Sequence, residues 1–346
     1  MARVLWVSNE TPDSKGQGGQ RRQFFQLREV VGRGHEVTLC TLAGSQSDAE
    51  VRQHAHVIRT STRWRGRVPR IGHPLLLRRL AQERWDAAVV AHTESWPTFR
   101  GAIREGPTPS WVDLHNVLGR DVDGLRTRWD DMERQICAEA SVVSVCSEQE
   151  RERLLSQQPD DEARVVVMNH GLDPHEWDEL RSPRARPVVK LFGNWQWDPN
   201  RRGLHWFLTE VWPRVNIEEA RCEIAGTGAV IPSSCGRTVT FVGRVPSVSQ
   251  WAGDAWAVAV PVINGVGAPV KYLEALATRA PVLSTPDGAP MARNDAALVS
   301  DDATKWTQTL RRLLGGSGPP ADTGVNPTMF SWENATAPLL QWLEDF

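Results

Sequence analysis

Val188-Val189-Lys190-Leu191-Phe192-Gly193-Asn194-Trp195-Gln196-Trp197-Asp198-Pro199-Asn200-Arg201-Arg202-Gly203 is the stretch on which the fold turns. An apolar run of strand length, Val188–Phe192, stops at a glycine turn and opens at once into a helical pattern, Arg201–Val215. Asp198 or Asn200 can cap that helix. Just upstream, Asp173–Pro187 carries Pro174, Pro183, Pro187 and several charges, and it reads as an interdomain linker. Val188 therefore restarts a strand–helix alternation after a break.

The restarted half continues with strands at Cys222–Ala225, Val239–Val242, Ala255–Val260 and Val282–Ser284. Helices are predicted at Val270–Ala277 and Asp301–Leu314, the latter capped by Asp301 or Asp302. Gly315–Asn326 is a Gly/Pro loop, and Trp332–Leu343 is a last helix. The half before the linker has the same rhythm. Strands fall at Val4–Val7, Glu36–Thr41, Val57–Arg59, Ala87–Ala91, Ser110–Leu114, Ser141–Val145 and Arg164–Met168, with Ser8–Gln20 a loop and Arg21–Gly32 a helix. Near-continuous apolar strands alternating with helices predict parallel sheets covered on both faces. The chain thus reads as two α/β halves, and Rossmann-like halves place a ligand at the carboxyl ends of their strands.

Bulk properties agree. The chain has 346 residues, about two domains at ~150 residues each. A net charge of −2 gives no basic field for nucleic acid. Lys supplies only four of the 40 cations, and Arg the rest. Trp is abundant at 16, and most of it is expected in the cores. The five cysteines, Cys40, Cys137, Cys146, Cys222 and Cys235, form no CxxC pair, which argues against a zinc site or disulfide framework and fits a reducing cytoplasm. Val4–Val7 is too short for a signal-peptide core, and no apolar run of about 18 residues occurs. A cytoplasmic location is expected, compatible with peripheral membrane docking.

Four segments carry candidate chemistry. Ser8–Gln20 ends in Gly18-Gly19 before a helix, where backbone amides and the helix dipole suit an anion. The alternative is a flexible surface loop. It is not GxGxxG, so the nicotinamide and flavin fingerprint is absent. Asn264-Gly265-Val266-Gly267-Ala268-Pro269-Val270-Lys271-Tyr272-Leu273-Glu274 follows a strand and opens a helix near Pro269. Lys271 in the first turn can meet a phosphate, and Glu274, on the same face, can accept both ribose hydroxyls. The plainer reading is a surface Glu/Lys pair. In the opening stretch, Arg201 or Arg202 can clamp a pyrophosphate or simply be solvated. His115, in Asp113-Leu114-His115-Asn116, stands at a strand's carboxyl end, as an acid/base or positioning group or a structural histidine.

These segments resemble the family-4 glycosyltransferases of the GT-B fold. Phe192-Gly193 through Pro199-Asn200, with Gly203, is similar to that family's strand-glycine-Pro-Asn opening. Ala225-Gly226-Thr227-Gly228 is similar to its second strand and turn, and Val239–Val245 to its segment beside the base. Pro261 through Glu274, then Pro281–Thr285, is similar to its nucleotide-sugar segment. In the first half, Gly18-Gly19, Gly34–Val37, Ser147-Glu148 and His170–Asp173 fit in the same order.

The resemblance implies an α/β GT-B fold, two Rossmann-like domains with parallel sheets facing across a cleft. The expected divisions are an acceptor domain over 1–175, a nucleotide-sugar domain over 176–328 and a helix over 329–346 that returns to the first domain. It implies transfer of a sugar, with retention, from a nucleoside-diphosphate sugar to an acceptor hydroxyl, without a metal or other cofactor. The leaving diphosphate then needs fixed cations, here Arg202 and Lys271, with His115 beside the sugar. Gly18, Gly19, Asn194, Gly226, Val245, Gly265, Gly267 and Glu274 are the implied donor-binding residues. Departures are Val266, where many members carry a glutamate, Asn194 in place of a basic residue, His170 in place of an asparagine, and Pro269; Val266 is read as branch character. The alternatives are a non-catalytic sugar-nucleotide-binding partner and a nucleotide-sugar 2-epimerase, for which no convincing set of acid/base carboxylates is found. Arg59–His73, with Trp64 and five arginines, is read as a solvated basic loop, the alternative being contact with an acidic or lipid-linked acceptor. The Arg-rich composition points to polysaccharide or natural-product biosynthesis.

Overall fold

The computed structural model describes residues 1–42, 48–60, 63–65, 68–70, 78–103, 108–119, 128–157, 164–178, 184–265, 270–289 and 297–346. The chain divides into two compact units, Met1–Gly171 with Trp332–Phe346, and Leu172–Ser331.

The first unit is built on strands β1 (Arg3–Ser8), β2 (Glu36–Leu42), β3 (His56–Thr60), β6 (Ala87–Ala91), β7 (Ser110–Leu114), β8 (Val142–Val145) and β9 (Val165–Val167). They form one parallel sheet in the order β3-β2-β1-β6-β7-β8-β9. Between them, β4 (Arg63–Arg65) and β5 (Val68–Arg70) pair as a separate antiparallel ribbon inside Arg59–His73, whose side chains lie outside the described residues. The apolar runs are explained by burial on both faces. Along β1, Leu5 and Val7 enter one core with Ala88, Val90, Val112 and Ile136, while Val4 and Trp6 enter the other with Val89 and Trp111. That second core also takes helix α1 (Gly18–Gly32) and the last helix, Trp332–Leu343. Trp332 stacks on Phe25 of α1 at 5.1 Å.

The second unit holds β10 (Val188–Asn194), β11 (Arg221–Thr227), β12 (Val239–Gly243), β13 (Ala257–Val260), β14 (Val282–Ser284) and β15 (Ala297–Val299), all parallel in the order β12-β11-β10-β13-β14-β15. In each unit the first strand sits between two later neighbours, β1 between β2 and β6, β10 between β11 and β13. Such reversal points are where ligands bind at the carboxyl ends of open α/β sheets.

Several local expectations change. The helix expected over 201–215 begins earlier, at Asp198, passes through a π-helical turn at Phe207–Val211, and finishes as Trp212–Val215 before Asn216 at φ 48°. Its cap is Trp197, neither Asp198 nor Asn200. Asp198 falls at the first helical position and spends its carboxylate on Arg201 and Arg202, while Asn200 is buried and bonded elsewhere. Asp302 does cap Ala303–Leu314, accepting from the Thr304 amide at 2.7 Å. The short edge strand β15 has no expected counterpart, because two half-buried residues and one exposed residue leave no pattern. Within the linker stretch, His175–Asp178 forms a helical turn. Trp6, Trp96, Trp111, Trp195 and Trp306 are fully buried, as expected of core tryptophan. All five cysteines are free and buried, and burial pushes the Cys40 thiol up to about 12. No described helix is long and apolar enough to cross a membrane.

Candidate functional site

In the second unit the polar residues gather where β10, β11 and β13 end. β10 runs into the turn Gly193–Trp197. The Trp195 amide donates to the Thr227 carbonyl at 2.8 Å, and its indole N–H donates to the Ala225 carbonyl at 2.8 Å, fastening this turn to the one after β11. Asn194 Oδ1 accepts from the Gln196 amide at 3.1 Å and the Thr227 hydroxyl at 3.3 Å. Gly226 has φ 121°, and a Cβ there would stand 1.8 Å from the Gly193 carbonyl oxygen, so glycine alone lets the two turns close.

Lys271 enters this turn from helix Val270–Ala277. It is buried, its ammonium donates to Asn200 Oδ1, and Nζ lies 5.6 Å from the centre of the Trp195 ring. Asn200 in turn donates to the Asn194 carbonyl at 2.8 Å. Burial lowers the Lys271 pKa to about 7, opposed by the charge of half-buried Glu274 three residues on. A neutral amide rather than a carboxylate receives this cation, and a buried cation so placed is a natural partner for an anion. After β13, the loop is held by Thr285, whose hydroxyl donates to the Val262 carbonyl at 2.6 Å, and by Asp287, which accepts from the Asn264 amide at 2.7 Å. Asn264 itself sits at φ 57°. Gly265 follows within the described residues; Val266, Gly267 and Pro269 lie outside them. Val245, half-buried, packs on the core beyond β12. Arg202 is exposed, and both it and Arg201 pair with Asp198, whose carboxyl they hold below its ordinary range.

In the first unit, His115 follows β7 and is buried. Its ring lies 3.8 Å from that of His92, which follows β6, and its Nε2 is 3.3 Å from Asp113 Oδ2. That approach is close enough for charge attraction, but neither ring nitrogen of His115 makes an aligned hydrogen bond. Asp113 is fully buried and heavily satisfied. Arg22 of α1 grips it twice, at 2.8 and 2.9 Å, and Ser144 and Gln26 donate to it at 2.8 and 3.0 Å. Burial alone would raise the Asp113 pKa; the Arg22 guanidinium and His115 overcome it and hold the carboxyl well below its usual range. Arg22 also donates to the Met168 and Asn169 carbonyls at 2.7 and 2.9 Å, tying the start of α1 to the end of β9. Gly19 lies directly under the histidines: a Cβ there would be 3.0 Å from His115 Nδ1 and 3.1 Å from His92 Cε1. Gly18 opens the helix. Burial, then the charge of His115, depresses the His92 pKa, so this ring is neutral at pH 7.

The structure therefore brings Asn194, Gly226 and Lys271 together in one unit and Gly19 and His115 in the other. Sequence reasoning missed Asn200 as the partner of Lys271, and missed Arg22 and His92. His92 had a usable signal, since it follows a fully apolar strand as directly as His115 does.

Two family models match the chain, one described as Glycosyltransferase Family 4 over residues 17–176 and one as Glycosyl transferases group 1 over residues 186–315. Among curated proteins none matches the sequence. Several solved structures share the fold over the whole chain. The Anabaena protein Alr3699/HepE, crystallised with UDP, is 13% identical with a TM-score of 0.76, over 99% of this chain and 100% of that one. A glycosyltransferase from Rickettsia africae is 13% identical with a TM-score of 0.76, over 99% and 98% of the two chains. Sucrose-phosphate synthase from Thermosynechococcus elongatus is 16% identical with a TM-score of 0.69, over 100% and 99%.

Proposed function

Because the chain belongs to the family-4-like glycosyltransferases of the GT-B fold, we propose that it moves a sugar from a nucleoside-diphosphate sugar to an acceptor hydroxyl with retention. The observation that carries this reading is the buried Lys271 ammonium held by Asn200 at the reversal point of the second sheet. A departing diphosphate accumulates negative charge, and a cation already fixed in a desolvated site stabilises that charge without reorganisation. Lys271 takes this role, and Arg202, exposed on the neighbouring helix, exchanges Asp198 for the second phosphate. Glu274 accepts the ribose hydroxyls, and Asn194, Gly226, Gly265, Gly267 and the backbone at Val245 surround the nucleotide. Gly18 and Gly19 supply backbone contacts to the sugar and diphosphate, with His115 beside the sugar. These cations make the reaction independent of a metal. The transferred carbon passes through an oxocarbenium-like state, with the acceptor proton leaving to the diphosphate oxygen.

Thermal stabilisation by UDP, GDP, dTDP, ADP and CDP sugars, with EDTA present, tests the donor site. A ligand that binds only the folded chain raises its melting temperature by mass action. One nucleotide should give a clear shift, and Lys271→Ala should abolish it and cut turnover at saturating donor by about 100-fold or more, the range of an oxyanion-type contact. Undiminished turnover in that variant would remove Lys271 from the reaction. Nucleotide binding without transfer to any acceptor would favour a non-catalytic binder.

A further inference from the structure

The second unit holds a cavity of about 600 Å³ that the donor reading does not use. Val282 and Leu283 of β14 and Leu298 of β15 give it an apolar floor, and Leu313 of helix Ala303–Leu314 gives it a wall. β15 is the edge strand, so the cavity opens at the margin of the sheet. It reaches the amino ends of β14 and β15, at Pro281 and Ala297, whereas the donor residues gather at carboxyl ends. Its rim is fastened. Arg184 donates to the Pro320 and Thr278 carbonyls at 3.3 and 3.4 Å, and the Thr323 amide donates to the Arg279 carbonyl at 3.0 Å. Gly316 and Gly318 stand at the mouth, and neither has a positive φ, so the turn itself does not demand glycine. A Cβ on Gly318 would meet no atom within 4 Å. What these glycines contribute is an opening that no side chain covers. A rim held this way keeps the cavity formed before a ligand arrives, as small-molecule sites commonly are.

Two polar side chains of the lining decide what fits. The Thr323 hydroxyl is buried and has no hydrogen-bond partner among the described residues. Arg312 is exposed at the rim, makes no ion pair or hydrogen bond with a described residue, and is the only charged side chain among the described lining residues. Its neighbour Arg311 differs, donating to the Arg214 carbonyl at 2.6 and 3.0 Å. A solvated arginine on a plain surface would call for nothing more. Here it stands at the lip of an apolar cavity, with an unmatched hydroxyl in the same wall. Arg312 can only donate, and the hydroxyl has a proton to give, so the missing group is an acceptor. A cation would be repelled by Arg312. A dianion would leave one charge unbalanced against apolar walls. A carboxylate matches the single guanidinium in charge and can take it bidentately.

We propose that this cavity binds a small monocarboxylate with an apolar body, its carboxylate on Arg312 and Thr323 and its body against Val282, Leu283, Leu298 and Leu313. The site is separate from the donor site, and it stands on the second unit's geometry whether or not the transferase reading holds.

Saturation-transfer NMR titrations on the full chain test it with probes that share one ring system: 2-naphthoate, 2-naphthol, 2-naphthylmethylamine and 2-naphthyl phosphate. Naphthoate should bind most tightly, with the same affinity in the presence and absence of UDP. Arg312→Ala should weaken naphthoate binding about tenfold, the size of a lost charge-assisted hydrogen bond, and leave naphthol binding unchanged. Arg312→Lys keeps the charge and should recover part of that loss. Thr323→Val keeps the side chain's shape and should weaken naphthoate binding by a smaller factor. Arg312 is exposed, so its variants should melt at the parent's temperature, and weaker binding in them is then not a folding defect. No signal from naphthoate, affinity for naphthol or naphthyl phosphate equal to that for naphthoate, unchanged naphthoate binding in Arg312→Ala, or displacement of naphthoate by UDP overturns the proposal. UDP-induced thermal shifts on the same samples report on the donor site alone, so failure of one reading leaves the other standing.

Discussion

In the proposed donor role, Lys271 makes binding depend on pH. Its folded pKa of about 7 lies far below the 10.5 of an open lysine, because burial penalises the charged form. A diphosphate bound there as proposed would restore that charge. Above pH 7 the free protein holds mostly neutral amine, so binding must take up a proton, and UDP affinity should fall as pH rises, approaching about tenfold per unit. Lys271→Met should flatten that slope, and calorimetric titration of UDP in buffers of different ionisation enthalpy counts the proton directly. Stability runs the other way. Between about 7 and 10.5 the unfolded chain binds more protons at this site than the folded one, so Lys271 makes stability rise with pH across that window. Asn200 is the other half of the arrangement. Asn200→Ala strips the buried ammonium of its acceptor, at about 1–3 kcal/mol, and pushes its pKa lower still. Asn200→Asp supplies a counter-charge, which should raise the Lys271 pKa yet weaken UDP binding by competing for the cation. Denaturant melts and UDP titrations of both variants would show these opposite signatures.

At the level of elements, the loop that follows β7 shows how carboxylates hold a site in place. The Val117 amide donates to Glu150 at 2.6 Å, and the Leu118 and Gly119 amides donate to Glu133 at 2.6 and 3.0 Å. Burial raises the Glu133 pKa to about 7, though its backbone hydrogen bonds pull it down. Between about 4.5 and 7 the unfolded chain has lost this proton while the folded chain keeps it, so stability from Glu133 falls as pH rises through that window. Glu133→Gln should remove that slope, seen as the difference between the two proteins' melting temperatures from pH 5 to 8. None of this was readable beforehand, and the reason is the range of the contacts. Strands were legible because burial on both faces makes their residues apolar one after another, as in Ala87–Ala91. The Asp302 cap was legible because capping is local. Arg22 meets Asp113 across 91 positions and Asn200 meets Lys271 across 71, and such pairs leave no period in the chain. Asp198 misled for a different reason, since two arginines three and four positions on, not its own capping preference, determined what its carboxylate does.

For the whole molecule, the unusual step is that the chain leaves the second unit at Ser331 and ends in the first. Trp332, Leu339, Leu340 and Leu343 are all buried in the core shared by α1, β1 and β7. Removing one large buried apolar side chain costs about 2–5 kcal/mol. A domain's whole stability is only about 5–15 kcal/mol. Losing four such side chains together, about 8–20 kcal/mol, is comparable to the whole stability of the first unit. A chain ending at Ser331 should leave the first unit unfolded while the second, whose cores contain none of these residues, stays folded. Limited proteolysis should then yield a resistant fragment covering the region 172–331, still protected by UDP because Lys271 and Asn200 lie within it. Trp332→Ala in the full chain provides the graded version. It deletes the ring stacked on Phe25 and should lower the first unit's stability by about 3–5 kcal/mol, while Trp332→Phe, which keeps an aromatic face, loses less. A truncated chain with the first unit as protease-resistant as before would mean that α1 and the sheet hold together without their covering helix, and that the chain's return serves something other than stability.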